Sequence, residues 1–217
     1  EPVCATFLGR LIRFVESANG IAIIRVKSTT RSGNIVVTAD MNGLQSGTTN
    51  VLTIPGQKAK LVCFADPASI NSDGVSISTI SAKITDANGN VIITAIDQVM
   101  FNISGYGTWS DGNVGPRQSS AAGGIATIKT KSTNQSGNFT VTANATGLTG
   151  STVTVVTTAG APVKLLSNAS LSSIIANGTS VSTITIMLVD AANNVVVTAT
   201  NTVTLNISGQ GTWLDNS

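Results

Sequence analysis

The run Asp86-Ala87-Asn88-Gly89-Asn90 places oxygen-bearing side chains at alternate positions, the spacing with which a calcium loop opens. The same run also reads as a hairpin turn, because Asn-Gly supplies the positive φ that a type I′ turn requires. The segment returns as Asp190-Ala191-Ala192-Asn193-Asn194, which drops a ligand position, and no bidentate Glu follows at the spacing calcium needs. The turn is the preferred reading.

Other residues with chemical potential are few. The chain has no histidine, which removes the commonest general base and every Ser-His or Cys-His nucleophile arrangement. The candidate carboxylate pairs, Asp66 with Asp73 and Asp111 with Asp97, fall at turn positions with no pairing logic, so no catalytic group, metal or cofactor is expected. Cys4 and Cys63 are too few for a thiolate metal site. They are a disulfide candidate in an oxidising setting, against the alternative of two separate small apolar residues.

Trp109 and Trp213 each follow a Gly-x-Gly-Thr turn, with Tyr106 inside the first. An exposed indole there could stack on a sugar or a partner. Recurrence at one position favours packing at an edge or at a joint between domains. Neither glycine triplet is a phosphate loop, since no helix or Lys-Ser/Thr follows. Asn-x-Ser/Thr sequons stand at Asn102, Asn134, Asn138, Asn144, Asn168, Asn177 and Asn206. Asn134, Asn168 and Asn177 read as the most accessible glycan acceptors, and Asn102 and Asn206 would need to face outward from strands.

The elements that carry these residues come from a repeat. The segment Asn102 to Trp109 recurs as Asn206 to Trp213, Lys27-Ser28-Thr29 as Lys131-Ser132-Thr133, and Val37-Thr38-Ala39 as Val141-Thr142-Ala143, all offset by 104. From Gly20 to Asn113 the register holds without a gap, with 44 of 94 aligned positions identical. Residues 57–160 make one whole unit, residues 1–56 read as the back half of another, and residues 161–217 as a front half. Within the unit, alternating apolar and polar runs predict strands at 59–65, 75–85, 90–95, 98–104, 124–132, 138–145 and 151–158. Their inward sets are Ile80, Ala82 and Ile84; Val99, Phe101 and Ile103; Ile128; Phe139 and Val141; and Val153 and Val155. Seven short strands rich in Thr, Val, Ile and Ser predict an antiparallel β-sandwich.

Composition sets outer limits. The 217 residues are 41% hydrophobic and 10% charged, with a net charge of +2. That excludes disorder. Lys and Arg do not cluster, so no nucleic-acid partner is expected. No apolar run approaches the ~18 residues of a membrane helix. The opening Glu1-Pro2 lacks a basic leader and reads as a mature or trimmed form.

The segments DGVSISTISAKITDANGNVI, QVMFNISGYGTW and SGNFTVTANATGL resemble bacterial immunoglobulin-like repeats of the invasin/intimin type. They are also similar to the Ig-like modules of secreted glycoside hydrolases. The resemblance implies an all-β chain of tandem Ig-like sandwiches, outside the cell or on its surface, with a stalk, spacer or adhesive role and no catalytic residues.

The broken phase of the repeat adds an expectation about partners. A half sandwich exposes strand edges and half a core, and the two halves are complementary. An odd strand number puts the ends of the middle unit at opposite poles, about 30 Å apart for strands of 7–10 residues. The linkers are short, so the C-terminal half of one copy pairs more naturally with the N-terminal half of the next than with its own. Head-to-tail contacts of that kind build a filament. The alternatives are a stretch of a longer spacer or adhesin array, and a module that binds a glycan or a host or neighbouring-cell receptor.

Overall fold

The computed structural model describes residues 4–7 and 10–214, with side chains from Arg13 onward. The chain divides into two compact units, Glu1–Pro55 and Gly56–Ser217.

In the first unit, β1 (Cys4–Phe7) pairs antiparallel with β2 (Arg10–Arg13), and β3 (Gly33–Ala39) with β4 (Gly47–Thr53). In the second, β5 (Lys58–Asp66), β7 (Ile77–Asp86), β9 (Gly107–Trp109) and β11 (Ile125–Ser132) form a sheet in the order β5-β7-β11-β9. The opposing sheet contains β6 (Ser69–Asn71), β8 (Gln98–Gly105), β10 (Arg117–Ser120), β12 (Gly137–Asn144) and β13 (Ser151–Thr158), ordered β10-β8-β12-β13-β6. Among the described strands, all pairings are antiparallel except β13 with β6. This is an immunoglobulin-like β-sandwich.

The core lies between the sheets, where alternate residues of each strand point inward. Leu61, Ile80, Ala82 and Ile84 come from one sheet; Val99, Phe101, Phe139, Val141, Ala143 and Val155 come from the other. Several buried hydroxyls are satisfied by main-chain carbonyls. Thr130 Oγ1 donates to the Ser78 carbonyl, Ser78 Oγ to the Pro67 carbonyl, and Thr157 Oγ1 to the Gln135 carbonyl. Gly105 has φ +96°, and Gly107 lies so close to the Phe139 ring that a Cβ has no room. The Gly-x-Gly triplet is therefore a packing requirement of the β8–β9 corner.

Six of the seven expected strands form. The seventh, 90–95, makes a single bridge from Val91 to Thr85 and then turns, with the Ala95 N–H donating to the Ile92 carbonyl. The reason is that β7 lies between β5 and β11, so both of its edges are occupied. The short strands β6, β9 and β10 carry too few residues for an alternation signal.

Within the C-terminal segment, β14 (Lys164–Ala169) and β15 (Ile184–Val189) pair antiparallel, repeating β5 and β7. In the first unit, β3 and β4 repeat β12 and β13 in the same register. Residues 202–209, the copy of β8, and 21–28, the copy of β11, are in no strand. The difference follows from pairing. In the complete sandwich, β5 pairs with β7 and β12 with β13, so each of these pairs lies wholly within one half. By contrast, β8 pairs with β10 and β12, and β11 with β7 and β9. The copies of β12 and β7 that would hold those two segments lie in the other half.

Candidate functional site

The turns after β7 and β15 are built alike. Asp86 Oδ1 accepts the N–H groups of Asn88 and Asn90, both at 2.9 Å. Its Oδ2 accepts the Asn90 amide at 2.8 Å and the Gly56 N–H at 2.9 Å. Asp190 repeats this: Oδ1 accepts from Ala192 and Asn194 N–H at 2.9 Å, while Oδ2 accepts the Asn194 amide at 2.9 Å and the Gly160 N–H at 3.0 Å. Each carboxylate closes its own turn and also holds the linker that leads into the antiparallel strand pair preceding it.

Four donors on one carboxylate favour the charged form. The Asn90 amide and the Gly56 N–H lead in holding the Asp86 carboxyl down at about 2. Burial pushes Asp190 up, but Asn194, Gly160 and Ala192 outweigh it and leave the carboxyl below its ordinary range. Both aspartates are turn anchors whose lone pairs are already engaged by N–H groups, as the turn reading expects. Among the described residues, no three Asp, Glu, Cys or His side chains gather into a metal-holding group.

The second turn reaches further. Asn194 Nδ2 also donates to the Asn134 carbonyl at 2.9 Å and to Ser72 Oγ at 3.2 Å, and its Oδ1 accepts the Ser136 N–H at 2.9 Å. Ser72 is itself fixed by donating from both N–H and Oγ to the Thr158 carbonyl. One carboxamide thus ties the turn after β15 to two loops at the end of the complete sandwich. Sequence reasoning missed this joint, although its signal was present: Asp and Asn four apart in both copies.

The other candidates are scattered. Trp109 is only 2% exposed, and its Nε1–H donates to the Gly115 carbonyl at 2.5 Å. Its ring lies in the sandwich's own core, which corrects the expectation of a contact surface or joint at that position: β9 is paired with β11, and that pairing turns the indole inward. Its copy Trp213 is 46% exposed, and Tyr106 is exposed over Gly137. Three of the four carboxylates of the candidate pairs, Asp73, Asp97 and Asp111, are engaged elsewhere. Asp97 pairs with Lys58 and Asp111 with Arg117. Burial pushes Asp73 up, yet N–H groups of Val75 and Ser76 and hydroxyls of Ser76 and Ser132 hold it at about 2.

Cys63 is a free, half-buried thiol, pushed up by burial, and its N–H donates to Ser151 Oγ. The Cys4 side chain lies outside the described residues. All seven sequon asparagines are exposed, Asn102 on the outer face of β8, and Asn138 and Asn144 on that of β12.

The family model for the glycoside hydrolase family 2 C-terminal domain 5 matches residues 61–154, inside the complete sandwich. Among solved structures, a glycosyl hydrolase family 2 member from Bacteroides cellulosilyticus is 24% identical over 57% of this chain and 18% of its own, with a TM-score of 0.45. A β-glucuronidase of glycoside hydrolase family 2 is 22% identical over 72% of this chain and 17% of its own, with a TM-score of 0.45. Invasin, a bacterial integrin-binding protein, is 27% identical over 88% of this chain and 38% of its own, with a TM-score of 0.44. The chain therefore spans well under half the length of each of these proteins. A sequence comparison with curated proteins found no match. The expected likeness to modules of glycoside hydrolases is met by the family-model match.

Proposed function

We propose that this chain is a non-catalytic extracellular structural segment, a filament or surface-stalk subunit whose half units are completed head-to-tail by another copy. The observation that carries the reading is the contrast between core positions and their copies. Leu61 is 3% exposed and Leu165 53%; Ile80 is 0% and Ile184 54%; Phe101 is 0% and Leu205 50%; Val155 is 0% and Val51 43%. These side chains fill a core in one unit and are about half exposed in the others, which forgoes roughly half of the ~1.5–3 kcal/mol that full burial of a large apolar side chain gives. The strands that cover β5 and β7 in the complete sandwich are β11 to β13 and their neighbours, and residues 20–54 repeat that set. Strand addition of this kind combines main-chain hydrogen bonds with a shared core.

Sedimentation velocity across a dilution series, with electron microscopy of the concentrated sample, tests it. The expected result is concentration-dependent growth into threads. A monomer at every concentration would refute copy-to-copy completion.

A second reading has its own support in the family match: an accessory module that accompanies a glycoside hydrolase and binds a glycan or a receptor through Tyr106 and Trp213. Glycan-array binding lost in Tyr106→Ala would favour this second reading.

A further inference from the structure

We propose that the loops Ser72–Gly74 and Asn134–Ser136 form a docking socket at the end of the complete unit, and that its ligand is the Asp-x-x-x-Asn turn of the unit that follows. This goes beyond the stalk reading and does not depend on association between copies, because plug and socket lie in one chain.

The chemistry is that of a primary amide read on both its edges. A carboxamide offers two donor hydrogens and an acceptor oxygen. In Asn194 one edge is held by Asp190 of its own turn, and the rest is presented outward. The socket answers the amide oxygen with a main-chain N–H (Ser136), and the one remaining amide hydrogen is shared between a main-chain carbonyl (Asn134, 2.9 Å) and a hydroxyl oxygen (Ser72, 3.2 Å). Two of the three socket groups are backbone, so the socket depends on loop conformation more than on side-chain identity. Ser72 is the exception: it is buried, its own hydrogen is committed to the Thr158 carbonyl, and only its lone pairs remain for the plug.

The plug is as well determined. Asp190 fixes the turn and at the same time holds Gly160, the last linker residue but one before Pro162. Linker and turn are thus anchored through the same carboxylate, and the amide beside it is aimed at the preceding unit. The middle unit has the same plug: Asp86 closes its turn, holds Gly56 and carries the Asn90 amide. The ligand class is therefore specific: a β-turn with Asp at its first position and an amide at its fifth. A carboxylate at the fifth position fails, because it would face Asp190 and the Asn134 carbonyl with no hydrogen to give.

Amide hydrogen exchange by NMR on the full chain tests this, comparing the wild type with Asn194→Ala and Asn194→Asp. The expected result is that the Ser136 N–H is protected in the wild type and exchanges about fivefold faster or more in Asn194→Ala, the loss of one net hydrogen bond, and also faster in Asn194→Asp, where repulsion from Asp190 and the Asn134 carbonyl undocks the turn. The Gly160 N–H should stay protected in Asn194→Ala, since Asp190 remains. An unprotected Ser136 N–H in the wild type, or the same protection in all three proteins, overturns the proposal. Dilution below the association threshold separates the two readings: a joint that survives as a monomer upholds the socket whatever becomes of the filament.

Discussion

Ile80 and Ile184 occupy the same place in the repeat and opposite places in the energetics. Ile80 is fully buried between the sheets, whereas Ile184 is 54% exposed. Truncation to alanine should therefore have different effects at the two positions. At Ile80 the loss of transfer energy and the cavity together cost about 2–5 kcal/mol. For a unit of roughly 100 residues this lowers the melting temperature by about 8 °C or more. At Ile184, in dilute monomer, the methylenes removed already touch water, and the change should stay within about 0.5 kcal/mol, the range of surface substitutions. At concentrations where copies associate, Ile184→Ala should weaken association instead. Urea unfolding followed by tryptophan fluorescence, at low and at high protein concentration, makes both comparisons. An equal cost at Ile80 and Ile184 in dilute monomer would refute the reasoning, because the C-terminal half would then bury its own core.

Other consequences follow from named contacts. Asp73 and Asp86 are both held at about 2, below the ~3.9 of an unfolded aspartate, so the stability they contribute is present above pH ~4 and is lost as pH falls toward 2. Urea midpoints measured through that window should drop, and Asp73→Asn should flatten the slope. Gly107→Ala should destabilise by about 1–3 kcal/mol through overpacking against Phe139, whereas at its copy Gly211 the nearest atom is the end of Ile207 at 3.3 Å and the cost should be smaller. Calcium and EDTA should leave the melting temperature unchanged, since N–H donors already surround the Asp86 carboxylate.

Period-2 alternation made the sandwich legible because the inward residues of β7, β8 and β12 are large and regularly spaced. It failed at 90–95, where the pattern suits a strand but β7 has no free edge to offer. Edge availability is a property of the sheet and not of the segment. Trp109 shows the same limit. Its recurrence in both copies marked it as structural, but whether it packs within its own unit or at a joint depends on the pairing of β9 with β11, which three residues cannot announce. The Asp86 run was legible as a turn. Its wider role was not, because the partners of Asn194 are mostly backbone groups from loops some 60 and 120 positions away, and backbone partners leave no trace in residue type.

The most direct test of head-to-tail completion uses two end-blocked chains, Ile184→Asp on the open face of β15 and Val37→Asp on that of β3. Analytical ultracentrifugation should find each variant incapable of extended growth alone, and a one-to-one mixture should form a two-chain complex through the single intact pair of faces. If the mixture stays monomeric, or either variant alone still forms threads, completion of one copy by another is contradicted.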